Sequence, residues 1–385
     1  MDFSLTSDHI LIRDTVRQFM ETEVRPVLRE YDRKDQFPAK EIRKLGEMGF
    51  CGMLVPEEWG GSQTDTLSYA IMLEEVARVC ASTAVALGVT NSAASVPIYH
   101  HGTEAQKKKY LPRLARGEIL GAFCLTEPQA GSDAAGIQAR AIRCGNEYRI
   151  SGTKIWVTNG GVAGVYVVFA KTDPTERAHG ITAFLVEPDF PGFRVSRYED
   201  KMGQRLSHSA EIVFEECRVP AENRVGEEGQ GLKIALEALD GGRVGIGALG
   251  VGVAQGALEA SARYAKQRRA FGKPISEFQA VQWMLADMQT EIDAARLLTH
   301  YAAWLKDSGA SRFSAAAARA KLYASEMANR VCAKAVQIHG SVGYSRETDV
   351  ERYYRDARVL TIYEGTSEMQ RIVISRDLLR APGGA

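Results

Sequence analysis

The first third of the chain repeats hydrophobic residues at helical spacing. Ile12, Val16 and Phe19 lie three to four residues apart, and apolar residues repeat in the same way over about 66–79. Such a stripe lets one face of a helix pack against a core while the other face stays polar. The pattern therefore predicts a helical domain over residues 1–120.

The pattern then changes to short, β-rich runs. Residues 155–158, 165–169 and 181–186 are examples, and Gly, Pro and Asn lie between them. Short runs bounded by turn residues are typical of strands in a compact all-β domain. The sequence therefore predicts a barrel or a sandwich over residues 121–227.

Longer helical patterns return over residues 228–385. They run through about 231–267, 277–307 and 312–338, with short breaks between them. Long helices with short connections pack as antiparallel neighbours, so these predict a helical bundle. A closing helix is predicted to begin at Ser367, because Ser367 and Gln370 have the spacing of a capping box. The fold class is thus multidomain α+β.

Composition narrows the class of protein. The 385 residues include 48 Lys+Arg and 48 Asp+Glu, so the formal net charge is zero. A neutral balance argues against a nucleic-acid or anionic-membrane binder. The uncharged, glycine-rich stretch 244–258 is shorter than the roughly 18–20 residues that span a bilayer. Met1 to Leu5 show no signal-peptide pattern, so we predict a soluble, cytoplasmic protein.

The cysteines and histidines suggest neither a cross-link nor a metal site. None of the six cysteines forms a C-x-x-C pair, which favours free thiols in a reducing compartment. The seven histidines include no H-E-x-x-H, and the chain contains no G-x-S-x-G or P-loop. No metal is predicted.

Residues 245–250 match the dinucleotide-binding pattern G-x-G-x-x-G. That interpretation requires a strand before the glycines and an acidic residue about 20 positions later. The preceding residues 234–239 have a helical pattern, and position 270 is an alanine. The small residues are therefore better explained as letting two helices approach closely.

Three segments could bind a ligand or be purely structural. Residues 121–133 form an apolar strand that ends in a Gly/Ser/Thr-rich loop, which either exposes N–H groups to a ligand or is a plain β-turn. Trp156 and Thr158 share one strand face and either flank a flat ligand or pack in the core. The basic cluster within 263–273 either holds a pyrophosphate or is a solvated helix end.

Glu364 ends a largely apolar run beside Gly365 and just before the predicted closing helix. A carboxylate in apolar surroundings has a raised pKa, which suits a general base near neutral pH. The small Gly365 would let a substrate approach the backbone. The alternative is a carboxylate that only stabilises a helix N-terminus.

Taken together, these segments resemble the acyl-CoA dehydrogenase family over essentially the whole chain. The resemblance rests on five motifs in order: FCLTEPQAGSD (123–133), WVTNG (156–160), RRAFG (268–272), QIHGSVGY (337–344) and YEGTSEMQR (363–371). It implies an N-terminal helical domain, a middle β-barrel and a C-terminal four-helix bundle. It also implies FAD as the cofactor and acyl-CoA as the substrate.

The resemblance also implies roles for individual residues. Those implied at FAD are Phe123, Leu125, Thr126, Gly131, Ser132, Trp156, Thr158, Arg268, Phe271, Gln279, Gln337, Gly340, Thr366 and Glu368. Those implied at acyl-CoA are Ser132, Asp240, Arg243, Tyr363 and Gly365. Five of the FAD residues, from Arg268 to Gly340, would reach the FAD of a neighbouring subunit. A homotetramer, as a dimer of dimers, is therefore expected.

By the same resemblance, Glu364 removes the α-proton of the thioester while flavin N5 takes the β-hydride. The product is a trans-2-enoyl-CoA, and electron-transferring flavoprotein receives the electrons. Some members carry the base at the position of Gly242, which has no side chain here. Ser341 departs from the usual glycine pair. An oxidase that uses oxygen and a catalytically silent acyl-CoA-binding protein remain the alternatives.

Overall fold

The computed structural model describes residues 4–310 and 312–380. Up to residue 118 of this described chain, the α-helices are α1 (Ser7–Phe19), α2 (Arg25–Lys34), α3 (Ala39–Glu47), α4 (Thr66–Val79), α5 (Ala81–Gly88), α6 (Val96–His101) and α7 (Glu104–Ala115). Two π-helical turns, Met20–Val24 and Val89–Ser95, join α1 to α2 and α5 to α6. The predicted helical start of the chain is confirmed, and α4 is buried along nearly its whole length.

The middle of the chain forms one sheet. Its strands are β1 (Leu120–Cys124), β2 (Arg140–Cys144), β3 (Glu147–Thr158), β4 (Ala163–Lys171), β5 (Ile181–Val186), β6 (Phe193–Tyr198), β7 (Ser209–Pro220) and β8 (Arg224–Val225). The predicted runs 155–158, 165–169 and 181–186 lie in β3, β4 and β5. Aromatic residues such as Tyr148 and Phe184 fill one core of this sheet.

The sheet is open in its hydrogen bonding. The strand order is β6-β7-β3-β2-β4-β5-β8, and β1 runs parallel to β4 beside this path. Among the described residues, β6 and β8 pair only with their inner neighbours, so the ladder does not close into a barrel. The expected β domain is present, with two free ends instead of a closed ring.

After residue 228 the chain is again helical. Its helices are α8 (Gly231–Gln267), α9 (Gln279–Asp307), α10 (Phe313–His339), α11 (Asp349–Arg358) and α12 (Ser367–Leu378), and a small hairpin of β9 (Arg269–Ala270) and β10 (Lys273–Pro274) follows α8. By length and composition α8 could cross a membrane, but 83% of its most apolar window is buried inside the protein. It is the central helix of the bundle.

The glycines of α8 allow close helix packing, as the sequence predicts. A Cβ on Gly250 would lie 3.0 Å from the carbonyl oxygen of Ala324 on α10. One on Gly252 would lie 2.2 Å from the carbonyl oxygen of Glu74 on α4. The 245–250 segment therefore serves helix contact and lies inside a helix, where a dinucleotide-binding turn cannot form.

Helix α12 begins at Ser367 as predicted, but the predicted capping box is wrong. The N-cap is Thr366, whose side chain accepts a hydrogen bond from the Met369 N–H. Gln370 instead turns its side-chain amide back toward the carbonyl oxygens of Glu364 and Gly365. The spacing of Ser367 and Gln370 suits a capping box, but the Gln370 side-chain amide bonds to the loop before the helix instead.

Cysteine and metal chemistry add no cross-link to this fold. All six cysteines are free, and five of them are buried. Among residues 4–310 and 312–380, no group of three His, Cys, Asp or Glu side chains is placed to hold a metal ion.

Candidate active site

Glu364 lies in the turn just before α12, with a left-handed backbone φ of +50°. Its Oε2 atom is fully buried and has no hydrogen-bond partner among the described residues. A Cβ on Gly242 of α8 would lie 2.4 Å from this oxygen. The carboxyl group therefore occupies the space that the missing side chain of Gly242 leaves open.

The electrostatics of Glu364 favour a base that works near neutral pH. Burial raises the pKa of Glu364 from its usual 4.5 to about 7, against the opposing effect of the Lys321 and Arg243 cations. Arg243 is 7% exposed and pairs with Asp240 one turn earlier on α8. A base whose pKa lies close to the working pH transfers protons efficiently. The interpretation of Glu364 as only a helix-end charge does not explain its burial.

A small cavity opens beside the Glu364 carboxyl group, between α4, α5 and α8. Its volume is about 10 Å³, which is close to the room that one water molecule needs. Tyr69 and Leu73 of α4 fill the space above Gly88 and Gly245, where a Cβ on Gly245 would lie 3.0 Å from Leu73 Cδ1. These side chains line the cavity on the α4 side.

The loop after β1 is held by a buried ion pair. Lys154 Nζ lies 2.7 Å from Glu127 Oε1, and the two side chains are 0% and 3% exposed. The lysine also donates to the carbonyl oxygen of Leu125. Burial alone would raise the pKa of Glu127, but Lys154 and two backbone N–H donors, from Gln138 and Ala139, outweigh it and lower that pKa. The loop is thus more than a plain turn.

Trp156 is exposed beside this loop. The Ile155 N–H donates to the carbonyl oxygen of Thr126, which joins the loop to β3. The β3–β7 register shifts between Lys154 and Val157, and Trp156 has a φ of +58°. Trp156 is 55% exposed while Val157 is 1% exposed, so the interpretation of Trp156 as a core residue is wrong.

The structure divides the predicted site residues into three groups. The first lies around β1 and β3, namely Phe123, Leu125, Thr126, Gly131, Ser132, Trp156 and Thr158. The second surrounds the start of α12 and the facing part of α8, namely Asp240, Arg243, Tyr363, Glu364, Gly365, Thr366 and Glu368. Tyr363 is fixed there because its hydroxyl accepts a 3.2 Å hydrogen bond from Gln204.

The third group is remote from Glu364 in the same chain. Its members are all exposed and lie around the β9–β10 hairpin, the start of α9 and the end of α10, namely Arg268, Phe271, Gln279, Gln337 and Gly340. Lys321, which contacts the Glu364 segment, is 16 residues before Gln337 on α10, or about 24 Å along the helix. Phe271 is 95% exposed.

Sequence reasoning missed three buried residues near the site. Lys321 and Gln370 hydrogen-bond the backbone after Tyr363. Asn159, which is 0% exposed, donates to carbonyl oxygens of Ala86 on α5 and Gly121 on β1, so it ties the sheet to the cavity wall. The available signal was a lysine, Lys321, on the alanine-rich face of α10.

Models of three domains of one family match almost the whole chain. They are the acyl-CoA dehydrogenase N-terminal domain over residues 6–118, the middle domain over 122–217 and the C-terminal domain over 229–379. The chain belongs to the acyl-CoA dehydrogenase family. Family membership makes it an FAD-dependent enzyme that dehydrogenates acyl-CoA thioesters.

Individual relatives are similar over their full length. The short-chain-specific acyl-CoA dehydrogenase of Clostridium acetobutylicum is 46% identical over 380 residues, which cover 99% of this chain and 100% of that one. The structure of butyryl-CoA dehydrogenase from Megasphaera elsdenii is 45% identical, with a TM-score of 0.97 and coverage of 99% and 100%. A chain in the structure described as electron transferring flavoprotein of Acidaminococcus fermentans is 49% identical, with the same TM-score and coverage.

The surface of this chain fits FAD. Trp156 offers an exposed flat ring next to the loop that Lys154 and Glu127 hold in place. Gly131 in that loop has no atom within 4 Å of where a Cβ would lie, so a ligand can approach its backbone. Gly340, in the remote third group, is open in the same way. Flat aromatic contact combined with open backbone donors suits a flavin and its pyrophosphate.

Proposed function

We propose that this enzyme oxidises short-chain acyl-CoA thioesters and that Glu364 is its catalytic base. The observation that carries the proposal is a buried carboxyl group, with a pKa of about 7, facing a cavity of about 10 Å³. Such a group can take a weakly acidic α-proton at neutral pH. Short-chain and butyryl-CoA enzymes are among the similar proteins.

The residues around the cavity have different roles in the reaction at the α-carbon. Glu364 accepts the α-proton on its buried carboxylate. Arg243 lies nearby, with its charge partly balanced by Asp240. The mostly apolar walls leave room for little more than one water molecule, so the carboxylate meets the thioester with little competing hydration. When bound, FAD supplies the acceptor for the hydride that leaves the β-carbon, and Trp156, Thr126 and Ser132 would hold it.

The test is an anaerobic absorbance titration of the FAD-loaded enzyme with saturated acyl-CoAs of increasing length. We expect the flavin absorbance to bleach most completely and fastest with the butyryl thioester. It should bleach slowly or not at all with eight carbons or more, as expected from the short-chain and butyryl-CoA enzymes among the similar proteins. Equal rates from four to eight carbons would contradict the assignment of a short substrate.

Leu73→Ala should shift the preferred substrate toward longer chains, since it removes a bulky side chain that lines the cavity. Its cost in stability should be about 2–5 kcal/mol. Leu45→Ala is the matched control, because Leu45 is equally buried but lies on α3, away from the cavity. If both variants keep the wild-type chain preference, Leu73 does not limit substrate length.

We propose that electron-transferring flavoprotein receives the electrons, because a 49% identical chain comes from a structure described by that name. Turnover should then depend on added electron-transferring flavoprotein and release little peroxide. Steady peroxide production without it would favour the oxidase alternative. A cytoplasmic location stays a prediction.

We also propose that the enzyme is a homotetramer. Trp283, Leu297, Tyr301 and Trp304 on α9 are 49–64% exposed and fall within an arc of about 60° at 100° per residue. Large apolar side chains exposed on one face of a helix suit a subunit contact. The third group of predicted FAD residues, remote from Glu364 in its own chain, would then meet a neighbour's flavin.

Light scattering after size-exclusion chromatography tests this assembly. The wild type should have about four times the 42.2 kDa chain mass. Trp304→Glu should lower the mass and weaken FAD retention together, because a charge on the face must be desolvated. Leu11→Glu is the control, since Leu11 is similarly exposed but lies on α1. A wild-type monomer that keeps FAD would contradict the proposal.

A further inference from the structure

Lys321 is a fully buried lysine in an alanine-rich stretch of α10. Its side chain is 0% exposed, and Nζ donates a 2.7 Å hydrogen bond to the carbonyl oxygen of Gly365. On the same helix, Ala317 and Ala324 offer no side-chain acceptor, and the hydroxyl of Ser325 donates to the carbonyl oxygen of Leu322. A buried ammonium group is unfavourable unless it is partnered. The partner here is the backbone that directly follows the base.

Gln370 is a second buried donor to the same backbone. Its amide nitrogen lies 2.9 Å from the carbonyl oxygen of Gly365 and 3.3 Å from that of Glu364. Glu364 and Gly365 both have left-handed φ values, +50° and +90°. This conformation is unfavourable for a glutamate and persists only where neighbouring groups hold it. Lys321 and Gln370 supply that hold from α10 and α12.

The two cations near Glu364, Arg243 and Lys321, differ in whether a carboxylate pairs with them. Arg243 on α8 is paired with Asp240, whereas the short contact of Lys321 is with a neutral carbonyl. Lys321 is the larger of the two cationic influences that favour the Glu364 carboxylate. Besides Lys321 and Arg243, the titratable groups near Glu364 are the hydroxyls of Tyr69 and Tyr363. The carboxylates of Glu326 and Glu368 lie near Lys321.

Burial lowers the pKa of Lys321 to about 8, and the nearby Glu364 works against that shift. The lysine is therefore largely charged at neutral pH, where the base must be ionised. The lysine Nζ reaches the Glu364–Gly365 turn from α10. A cation placed there stabilises the carboxylate without occupying the cavity that would receive the acyl group.

We propose that Lys321 and Gln370 are positioning residues for the base: together they hold the Glu364–Gly365 backbone, and the lysine charge keeps the Glu364 carboxyl group ionised. The inference rests on the proposed role of Glu364 as the base. Neither residue contacts the reacting atoms; both act through the loop and the carboxyl group.

The experiment compares Lys321→Met, Lys321→Arg and Gln370→Met with the wild-type holoenzyme. kcat is measured from about pH 5.5 to 9 with a butyryl thioester. Lys321→Met should move the acidic limb of the profile up by about one pH unit and lower kcat at pH 6.5 about tenfold. Lys321→Arg should keep the limb near the wild-type position. Gln370→Met should lower kcat without moving the limb, since it removes a neutral donor.

A second measurement observes the carboxyl group directly. Carbon-13 NMR of protein labelled at the glutamate carboxyl carbons should show one signal that titrates near pH 7 and disappears in Glu364→Gln. In Lys321→Met that signal should titrate at higher pH. Lys334→Met is the matched control, because Lys334 lies on the same helix but pairs with Asp287 and Glu291 away from the site.

The outcomes separate this inference from the proposed function. Lys321→Met should fold, because it removes a buried charge while Gln370 still donates to Gly365. If Lys321→Met unfolds, the other two variants still test the inference: Lys321→Arg should keep the acidic limb in place, and Gln370→Met should lower kcat without moving it. An unmoved limb and an unmoved NMR signal in Lys321→Met, with only a lower melting temperature, would overturn the inference. Full activity in Glu364→Gln would instead overturn the role of Glu364 itself.

Discussion

Replacing Glu364 by glutamine should lower kcat by about 10²–10⁴-fold while FAD stays bound. The amide keeps the size of the side chain and fits beside Gly242, but it cannot accept the α-proton. Stopped-flow measurement of flavin bleaching with a butyryl thioester gives the rate of the chemical step directly. Glu30→Gln is the control, since Glu30 pairs with Lys34 on the exposed face of α2. Bleaching at the wild-type rate in Glu364→Gln would refute the assignment of the base.

The same variant should be more stable than the wild type above neutral pH. The pKa of Glu364 rises from 4.5 to about 7 on folding, so the folded state binds the proton more tightly than the unfolded state does. This contribution to stability is present below pH 4.5 and is lost as the pH rises through 7. At pH 8 the glutamine variant should therefore gain about 2–3 kcal/mol, measured from urea unfolding at pH 5 and pH 8.

Lys154→Met should cost about 3–5 kcal/mol of stability, because it leaves the Glu127 carboxylate buried without its cation. The loop from Leu125 to Ala139 should loosen as well, since both the lysine and the carboxylate bind its backbone. We expect a lower urea midpoint and weaker FAD retention, followed by tryptophan fluorescence and by flavin absorbance after gel filtration.

The double variant Lys154→Met with Glu127→Gln separates lost charge pairing from lost packing. Because it removes both buried charges, it should recover part of the stability that Lys154→Met loses. FAD retention should recover less, since the amide replaces a carboxylate that accepts backbone N–H groups. A double variant no more stable than Lys154→Met alone would show that the unpaired charge is not the cause.

Local patterns predicted much of this fold. Helical spacing located α4 and α8 to within a residue or two, and the glycines of 245–250 were correctly explained by helix packing. These features depend on side-chain periodicity and size, which the sequence displays directly. The position of Glu364 before α12 also followed from an apolar run that ends in a single carboxylate.

Long-range contacts could not be read in the same way. The Gln370 amide was predicted to cap α12, but the left-handed turn at Glu364 and Gly365 exposes two carbonyls to it instead. The apposition of Lys321 and Gly365 depends on how α10 packs against a segment 44 residues away. The open edge between β6 and β8 likewise depends on strand register, which alternation alone does not give.

The glycine contacts of α8 have a consequence for substrate choice. One wall of the cavity beside Glu364 belongs to α8 and another to α4, and Gly252 brings these two backbones together. The separation between them is thus a fixed distance of the scaffold that no rotamer change can adjust. Substitutions at the glycines would wedge the helices apart and disturb the core, so evolution or engineering can resize this pocket only through the side chains that project into it.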